Sequence, residues 1–380
     1  MLNPSTLRST APRAGLAVVF ALAVVTVLST GIVGGLLRAG VAVPVPGAIG
    51  WPAQAVLAHA FLMICGFMGT VVGLERAVAV KSRFAYLAPG ASALAGLAML
   101  AGHSGSASWL AAGAAAAFVV VNLVLFERQR APHTALLLAG AIAWWIGNTL
   151  HALGSPPTWV IPWWFSFLVI TIVAERLEMT RLMRRRRGAA PSLYGCLAGM
   201  LLGSALSAPL PVAGGIVYGL SLIGLAAWLV VHDTARRTGS AQGLSRYMAI
   251  CLLLGYAWLS VAGAAWVATA LGLPARDASL HALGLGFVFS MALGHVPVIL
   301  PALAGVQLHF GGYFYLPVAL LHVSLVVRLC LGPVAFSWLR IGAAGNAIAI
   351  ALFAVTMAGS AAAWRARHSA RDAKAVHAHH

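Results

Sequence analysis

Twelve runs of about twenty mostly apolar residues recur from one end of the chain to the other, and no other feature limits its fold so strongly. Wound as a helix at 1.5 Å per residue, each run reaches across a hydrocarbon core about 30 Å thick. The runs fall near residues 15–37, 53–74, 84–102, 107–126, 134–153 and 158–176, then 191–209, 211–232, 246–272, 279–303, 313–331 and 341–363. Strands of a membrane barrel would be about ten residues long and would alternate polar with apolar residues; the sequence shows no such alternation. The expected fold is therefore all-α, a polytopic membrane bundle of about twelve transmembrane helices in a single membrane domain over residues 1–380. Composition agrees, with 61% hydrophobic and 8% charged residues where a soluble domain carries roughly a quarter charged. The first run is longer than the apolar core of a cleavable signal and is read as the first span.

A net charge of +17 raises the question of a nucleic-acid partner, and the position of the charges answers it. Threaded twelve times through a bilayer, the chain places Arg8, Arg13, Lys81, Arg83, Arg128, Arg130, Arg181, Arg184 to Arg187, Arg236, Arg237, Arg246, Arg365, Arg367, Arg371 and Lys374 on one side. Arg38, Arg276 with Asp277, and Arg340 fall on the other. That is the positive-inside asymmetry. It predicts cytoplasmic N and C termini in a bacterial inner (cytoplasmic) membrane, with the lipid bilayer as partner and no nucleic acid. The Arg-rich stretch at 181–187 separates six runs from six, marking halves at 1–180 and 188–365, and 366–380 reads as a disordered tail. Glu75-Arg76, Glu127-Arg128 and Glu175-Arg176 repeat at the inner ends of spans two, four and six. Cys65, Cys196, Cys251 and Cys330 lie within different apolar runs without a CxxC pair, and are read as small buried hydrophobes.

Ionisable residues inside a membrane are costly and mark function first. The seven acidic residues all lie at run ends or in loops, which argues against a carrier built on a buried carboxylate. Five histidines, His59, His151, His281, His295 and His322, fall within the runs. By topology the first three share an outer level. His295 and His322 share an inner one, about 12 to 14 Å from the cytoplasmic ends of their helices. His281 and His295 are fourteen residues apart, about 1400° of an α-helix, so they point the same way with about 21 Å between them. One helix could then supply a ligand to each of two centres, as in b-type cytochromes, with His59 or His151 completing an outer pair and His322 an inner one.

Haem suits such a site because neutral imidazole ligates iron and the macrocycle is apolar enough to lie between helices. Copper is the other candidate, since His59, His151 and His281 could form a trigonal imidazole site, which zinc would accept too. Against both stands the ordinary alternative of a histidine hydrogen-bonded to a backbone carbonyl. His309 reads as a solvated loop residue, and His103, His133 and His232 as structural. Asn148, one turn before His151, could orient that imidazole. Arg328, with Arg276 and Arg38, could pair with haem propionates, against the plainer reading of snorkelling arginines. Trp144 and Trp145 are deep enough to pack on a macrocycle or simply on the bundle. Pro297 and Pro301 follow His295 and should kink span ten and free carbonyls beside it.

The stretch His281-Ala-Leu-Gly-Leu-Gly-Phe-Val-Phe-Ser-Met291-Ala-Leu-Gly294-His295 resembles the late-helix signature of the NnrS family, and His59-Ala-Phe-Leu-Met-Ile-Cys-Gly66-Phe67 resembles its early histidine-bearing helix. Those are twelve-span haem and copper membrane proteins linked to nitric oxide metabolism and distantly similar to the catalytic subunit of haem-copper oxidases. The resemblance covers about forty residues. Ala60 and Phe61 stand where that family carries a second histidine, and the paired histidines of an oxidase copper site are absent. The resemblance implies haem at His59, His281 and His295, with nitric oxide or copper handling as the context.

These readings combine into a haem-binding protein, with haem b in one or two copies and copper as the further metal. It would act in the metabolism of nitric oxide or another diatomic gas, or in electron transfer from a quinol or cytochrome. As an enzyme it would be a membrane haem oxidoreductase. Two alternatives stand beside this: a transporter or metal permease using the intramembrane histidines, and a structural or assembly subunit of a respiratory complex.

Overall fold

The computed structural model describes residues 14–45, 50–181, 187–304 and 306–377. Arg8, Arg13, Arg184 to Arg186 and the last three residues lie outside the described residues. Among the described residues every regular element is a helix and there is no strand. Twelve helices are long and apolar enough to cross a membrane. They are α1 (Gly15–Arg38), α2 (His59–Val80), α3 (Arg83–Leu100), α4 (Ser104–Arg128), α5 (Pro132–Ala152), α6 (Pro157–Met179), α7 (Ala189–Leu206), α8 (Pro211–His232), α9 (Gly243–Ala270), α10 (Arg276–Pro301), α11 (Gly312–Leu331) and α12 (Phe336–Arg367). The helical backbone of α12 continues to His377, through residues that the sequence reading assigns to a tail.

Local chemistry explains where several helices begin. α5 and α8 open on Pro132 and Pro211 at a first-turn position, where the missing N–H would have had no intrahelical partner. Three spans depart from α-helical winding. Leu62–Met68 of α2, Ala282–Phe289 of α10 and Val327–Leu331 of α11 are π-helical, a form that is rare and concentrated at functional sites. The outer faces are apolar: Val18, Val19, Leu22 and Val25 of α1, Val120 of α4 and Val355 of α12 are all exposed. Such faces need an apolar solvent.

The chain divides into two compact units, Met1–Glu178 and Met179–His380. In the first, α1 packs on α2 and α3, α3 on α4, and α4 on α5, while α6 is the most enclosed span of the chain. A buried polar knot holds this unit together. The Asn148 side chain of α5 accepts hydrogen bonds from Trp164 Nε1 of α6 (2.9 Å) and Cys65 Sγ of α2 (3.0 Å), and donates to the Ala111 carbonyl of α4 (3.2 Å). Ser92 of α3 donates to the Cys65 carbonyl. Four helices thus meet around one amide and a fifth joins them through Cys65, each bond worth about 0.6 kcal/mol between membrane helices.

At the far ends of α2 and α6, Arg76 is buried and pairs with Glu175 and, at 3.3 Å, with Glu75. The repeated Glu-Arg pairs therefore lie on different partners rather than repeating one contact, since Glu127 instead holds the exposed Arg130. In the second unit α9 is central, lying against α8 and α10, while α11 packs on α10 and α12. Of the four cysteines, all free, Cys65 and Cys251 are buried as expected and Cys196 is half-buried. Cys330 is exposed, so the buried reading fails there.

Candidate functional site

His59 opens α2 against a bare strip of α1. Its Nδ1 donates to the Gly31 carbonyl at 2.7 Å. A methyl group built on Gly35, one turn along, would lie 2.7 Å from His59 Cε1. Only glycine there leaves the helix backbone uncovered for the imidazole. Because a carbonyl oxygen only accepts, Nδ1 carries the proton and Nε2 the lone pair.

His151, near the end of α5, lies between the rings of Phe61 and Trp164, each centred 5.2 Å away. Its Nε2 is buried and has no hydrogen-bond partner. Asn148 does not orient it, because both ends of that amide are engaged in the five-helix knot. Trp144 is fully buried and stacks on Phe167 at 4.8 Å, so ordinary bundle packing accounts for it, while Trp145 is exposed.

In the second unit, His281 sits at the start of α10, immediately before its π-helical stretch. Its Nδ1 lies 2.9 Å from Asp277 Oδ1 and 3.1 Å from the Asp277 carbonyl. The same carboxylate receives two hydrogen bonds from Arg328 of α11, Nε to Oδ2 at 2.9 Å and Nη2 to Oδ1 at 2.8 Å. Arg328, expected to meet a propionate, forms instead a bidentate pair with Asp277. The sequence reading leaves Asp277 in a loop, although its spacing of four from His281 is the helical side-chain pairing distance.

His295 donates from Nδ1 to the Met291 carbonyl at 2.7 Å. The helix stays intact across Pro297 and Pro301. Pro297 has no N–H to offer the carbonyl four residues back, that of Leu293, and the buried Tyr247 hydroxyl of α9 supplies the missing bond at 3.1 Å.

His322 differs from these. Its Nδ1 accepts from the indole Nε1–H of Trp258 at 2.8 Å, so the ring's proton is on Nε2, which faces Ser290 Oγ at 3.5 Å. A neutral imidazole has one lone pair, and here Trp258 occupies it. Both ring nitrogens of His322 thus face protein partners in this arrangement. It lies beside Ser290, about 7.5 Å along the axis of α10 from His295.

A common direction for His281 and His295 requires 100° per residue throughout, whereas eight of the intervening residues are π-helical. Each residue that i→i+5 bonding inserts rotates the remainder of the helix by about 100°, so the expected alignment is lost. His309, expected to be solvated, is half-buried and tied to α12, its N–H donating to the Ser360 carbonyl at 3.3 Å and its carbonyl accepting from Ser360 Oγ at 2.8 Å. His133 is buried near Glu178, and His232 stacks on Trp228.

Among the described residues no group of three or more His, Cys, Asp or Glu is arranged to hold a metal ion. For haem, which needs one or two imidazoles, the donor chemistry fits at three positions. His59, His281 and His295 each direct Nδ1 at an oxygen acceptor, the contact by which metal-bound histidines are ordinarily oriented.

Comparison with curated proteins and with solved structures finds no match. A family model described as a domain of unknown function, DUF8744, matches residues 16–362, which takes in all twelve spans up to the last turns of α12. The chain belongs to the DUF8744 family.

Proposed function

We propose that this is a multi-pass haem protein of a bacterial inner membrane, with both termini in the cytoplasm. In this reading His59, His281 and His295 would hold haem b through their imidazoles, and the protein acts on nitric oxide or another diatomic gas or passes electrons from a quinol or cytochrome. The observation that carries the reading is the shared orientation of these three rings, each with Nδ1 directed at an oxygen. They are the same three histidines on which the resemblance to the NnrS family rests. Two of them, His59 and His281, stand at or just before the start of π-helical stretches. The orientation is supported by Lys81, Arg83, Arg128, Arg130, Arg236, Arg237, Arg246 and Arg365, which lie at alternate helix ends in the positive-inside sense.

The chain's contribution is to bind and orient. Gly31, the Asp277 carboxylate and Met291 orient the three rings through Nδ1. Haem held there would supply electron transfer or the binding of a diatomic gas. The test is an absorption spectrum of the purified protein with haem quantified as its pyridine adduct. Wild-type protein is expected to show a Soret band. His59→Ala, His281→Ala and His295→Ala should each reduce haem content, whereas His322→Ala should retain it. A wild-type protein without haem, or a His281→Ala variant that keeps its full complement, overturns the proposal.

A further inference from the structure

α2 ends in a backbone conformation that its sequence does not favour. Lys81 follows Val80, the last residue of the helix, with φ at 56°, and its N–H caps the helix by donating to the Ala77 carbonyl at 3.2 Å. Glycine fills such a left-handed cap without strain, yet a lysine stands there, the only non-glycine residue with positive φ among the described residues. Backbone outliers of this kind cluster at binding and switch sites. Two more cations share the place. Arg128, at the end of α4, donates from Nη1 to the Val80 carbonyl at 3.0 Å, which brings that nitrogen within about 6 Å of the Lys81 Cα across a single peptide unit. Arg83 is two residues beyond Lys81, at most about 7 Å away between Cα atoms. All three side chains are exposed, and none pairs with a carboxylate among the described residues. Glu127, the neighbour of Arg128, is held by Arg130 at 2.8 Å.

Beside these charges the surface is apolar. Phe84 and Leu87, in the first turns of α3, are 66% and 63% exposed, and the Arg83 guanidinium lies 5.0 Å over the Phe84 ring. Cation and hydrocarbon surface thus adjoin where α2 and α4 end and α3 begins, at the boundary of the apolar layer. We propose that the α2–α3 turn and the end of α4 form a binding site for an anionic phospholipid, with Lys81, Arg83 and Arg128 around its headgroup phosphate and Phe84 and Leu87 along its acyl chain. One of the five N–H donors of Arg128 is used on Val80, which fixes the guanidinium and leaves the others for a phosphate. Each unpaired cation near an anionic lipid surface strengthens binding about fivefold. A soluble phosphate would use the same cations and gain nothing from Phe84 or Leu87, which a lipid chain covers. The site is separate from the histidines and holds whether or not the protein binds haem.

The experiment counts the lipids retained by the purified full-length protein, by mass spectrometry of the intact protein released from mixed micelles of phosphatidylglycerol and phosphatidylcholine. Wild-type protein is expected to retain phosphatidylglycerol in preference. Lys81→Gly and Arg83→Gln should each lower that preference about fivefold, while Arg340→Gln, which removes an exposed charge in the second unit, should leave it unchanged. Lys81→Gly also separates binding from folding. Because glycine relieves the left-handed strain, its unfolding midpoint should equal or exceed that of wild type even as the lipid is lost. Lys81→Asn, which also tolerates this conformation, provides the measurement if the glycine prevents folding. Equal retention of the two lipids by wild-type protein, an undiminished preference in Lys81→Gly and Lys81→Asn, or an equal loss in Arg340→Gln overturns the proposal. Displacement of the lipid by an equal concentration of inorganic phosphate would mark a soluble-anion site and overturn it as well.

Discussion

Removing the Tyr247 hydroxyl tests how α10 tolerates proline beside His295. Tyr247 is fully buried, and its hydroxyl donates to the Leu293 carbonyl at 3.1 Å. That carbonyl is the one from which Pro297 withholds an intrahelical partner. Tyr247→Phe should therefore leave a buried oxygen without its donor, at a cost of about 1 kcal/mol, within the range of about 0.6 to 1.7 kcal/mol found for bonds between membrane helices. The informative measurement is the same change in a Pro297→Ala background. There the new N–H of residue 297 can bond to the Leu293 carbonyl along the helix, so the hydroxyl becomes redundant. Tyr247→Phe should then cost close to nothing, and the cycle should return a coupling of about 1 kcal/mol. Midpoints of denaturant unfolding in detergent micelles, compared at equal slope, report the four values. Equal costs of Tyr247→Phe in the two backgrounds would refute the pairing of hydroxyl with proline.

Two further substitutions test the first unit. Asn148→Leu keeps the branched shape and heavy-atom count of the side chain but removes three interhelical hydrogen bonds, so it should destabilise by about 2 kcal/mol at roughly 0.6 kcal/mol each; an unchanged unfolding midpoint would show that the amide does not tie the helices. Gly35→Leu places a side chain where the His59 ring lies, only 2.7 Å from a bare Cβ position. It should lower haem content as far as His59→Ala does while leaving unfolding of the second unit unchanged, and full haem retention would count against His59 being held by α1.

The span count was legible because it depends on hydropathy summed over about twenty residues, which no local detail can cancel. The sequence places the eighth span at 211–232, and that helix runs Pro211–His232. The second span starts at 53 by hydropathy, whereas its membrane-length helix begins at His59, because Trp51–Leu57 forms a separate short helix ahead of it. The site was legible only at the level of residue type. Histidine in an apolar run stands out, yet partners across helices depend on winding, and i→i+5 turns leave no clear mark in composition. Asn148 shows the difficulty plainly. One turn from His151 in sequence, it has the place of that ring's support, and in space it serves Cys65, Trp164 and Ala111. Asp277 is the reverse case, recoverable from the i,i+4 rule once its carboxylate is weighed with the helix that contains His281.

His322 and His295 illustrate how partners from other groups set the tautomer of an imidazole in a membrane bundle. Both are half-buried histidines in apolar helices, and hydropathy cannot distinguish them. A backbone carbonyl facing Nδ1 of His295 holds the ring's proton on that nitrogen. An indole N–H on Nδ1 does the opposite: it consumes the lone pair and forces the proton to the far side, where Ser290 lies. Trp258 therefore decides the chemistry of His322 from another helix. The same reasoning predicts that Trp258→Phe, which removes the N–H and keeps most of the ring, frees Nδ1 to carry the proton. A chain so altered would gain a fourth ring oriented to carry its proton on Nδ1, beside the three that its backbone and Asp277 already hold that way, and haem content unchanged from wild type in Trp258→Phe but raised by added haemin would be the measurable sign of it.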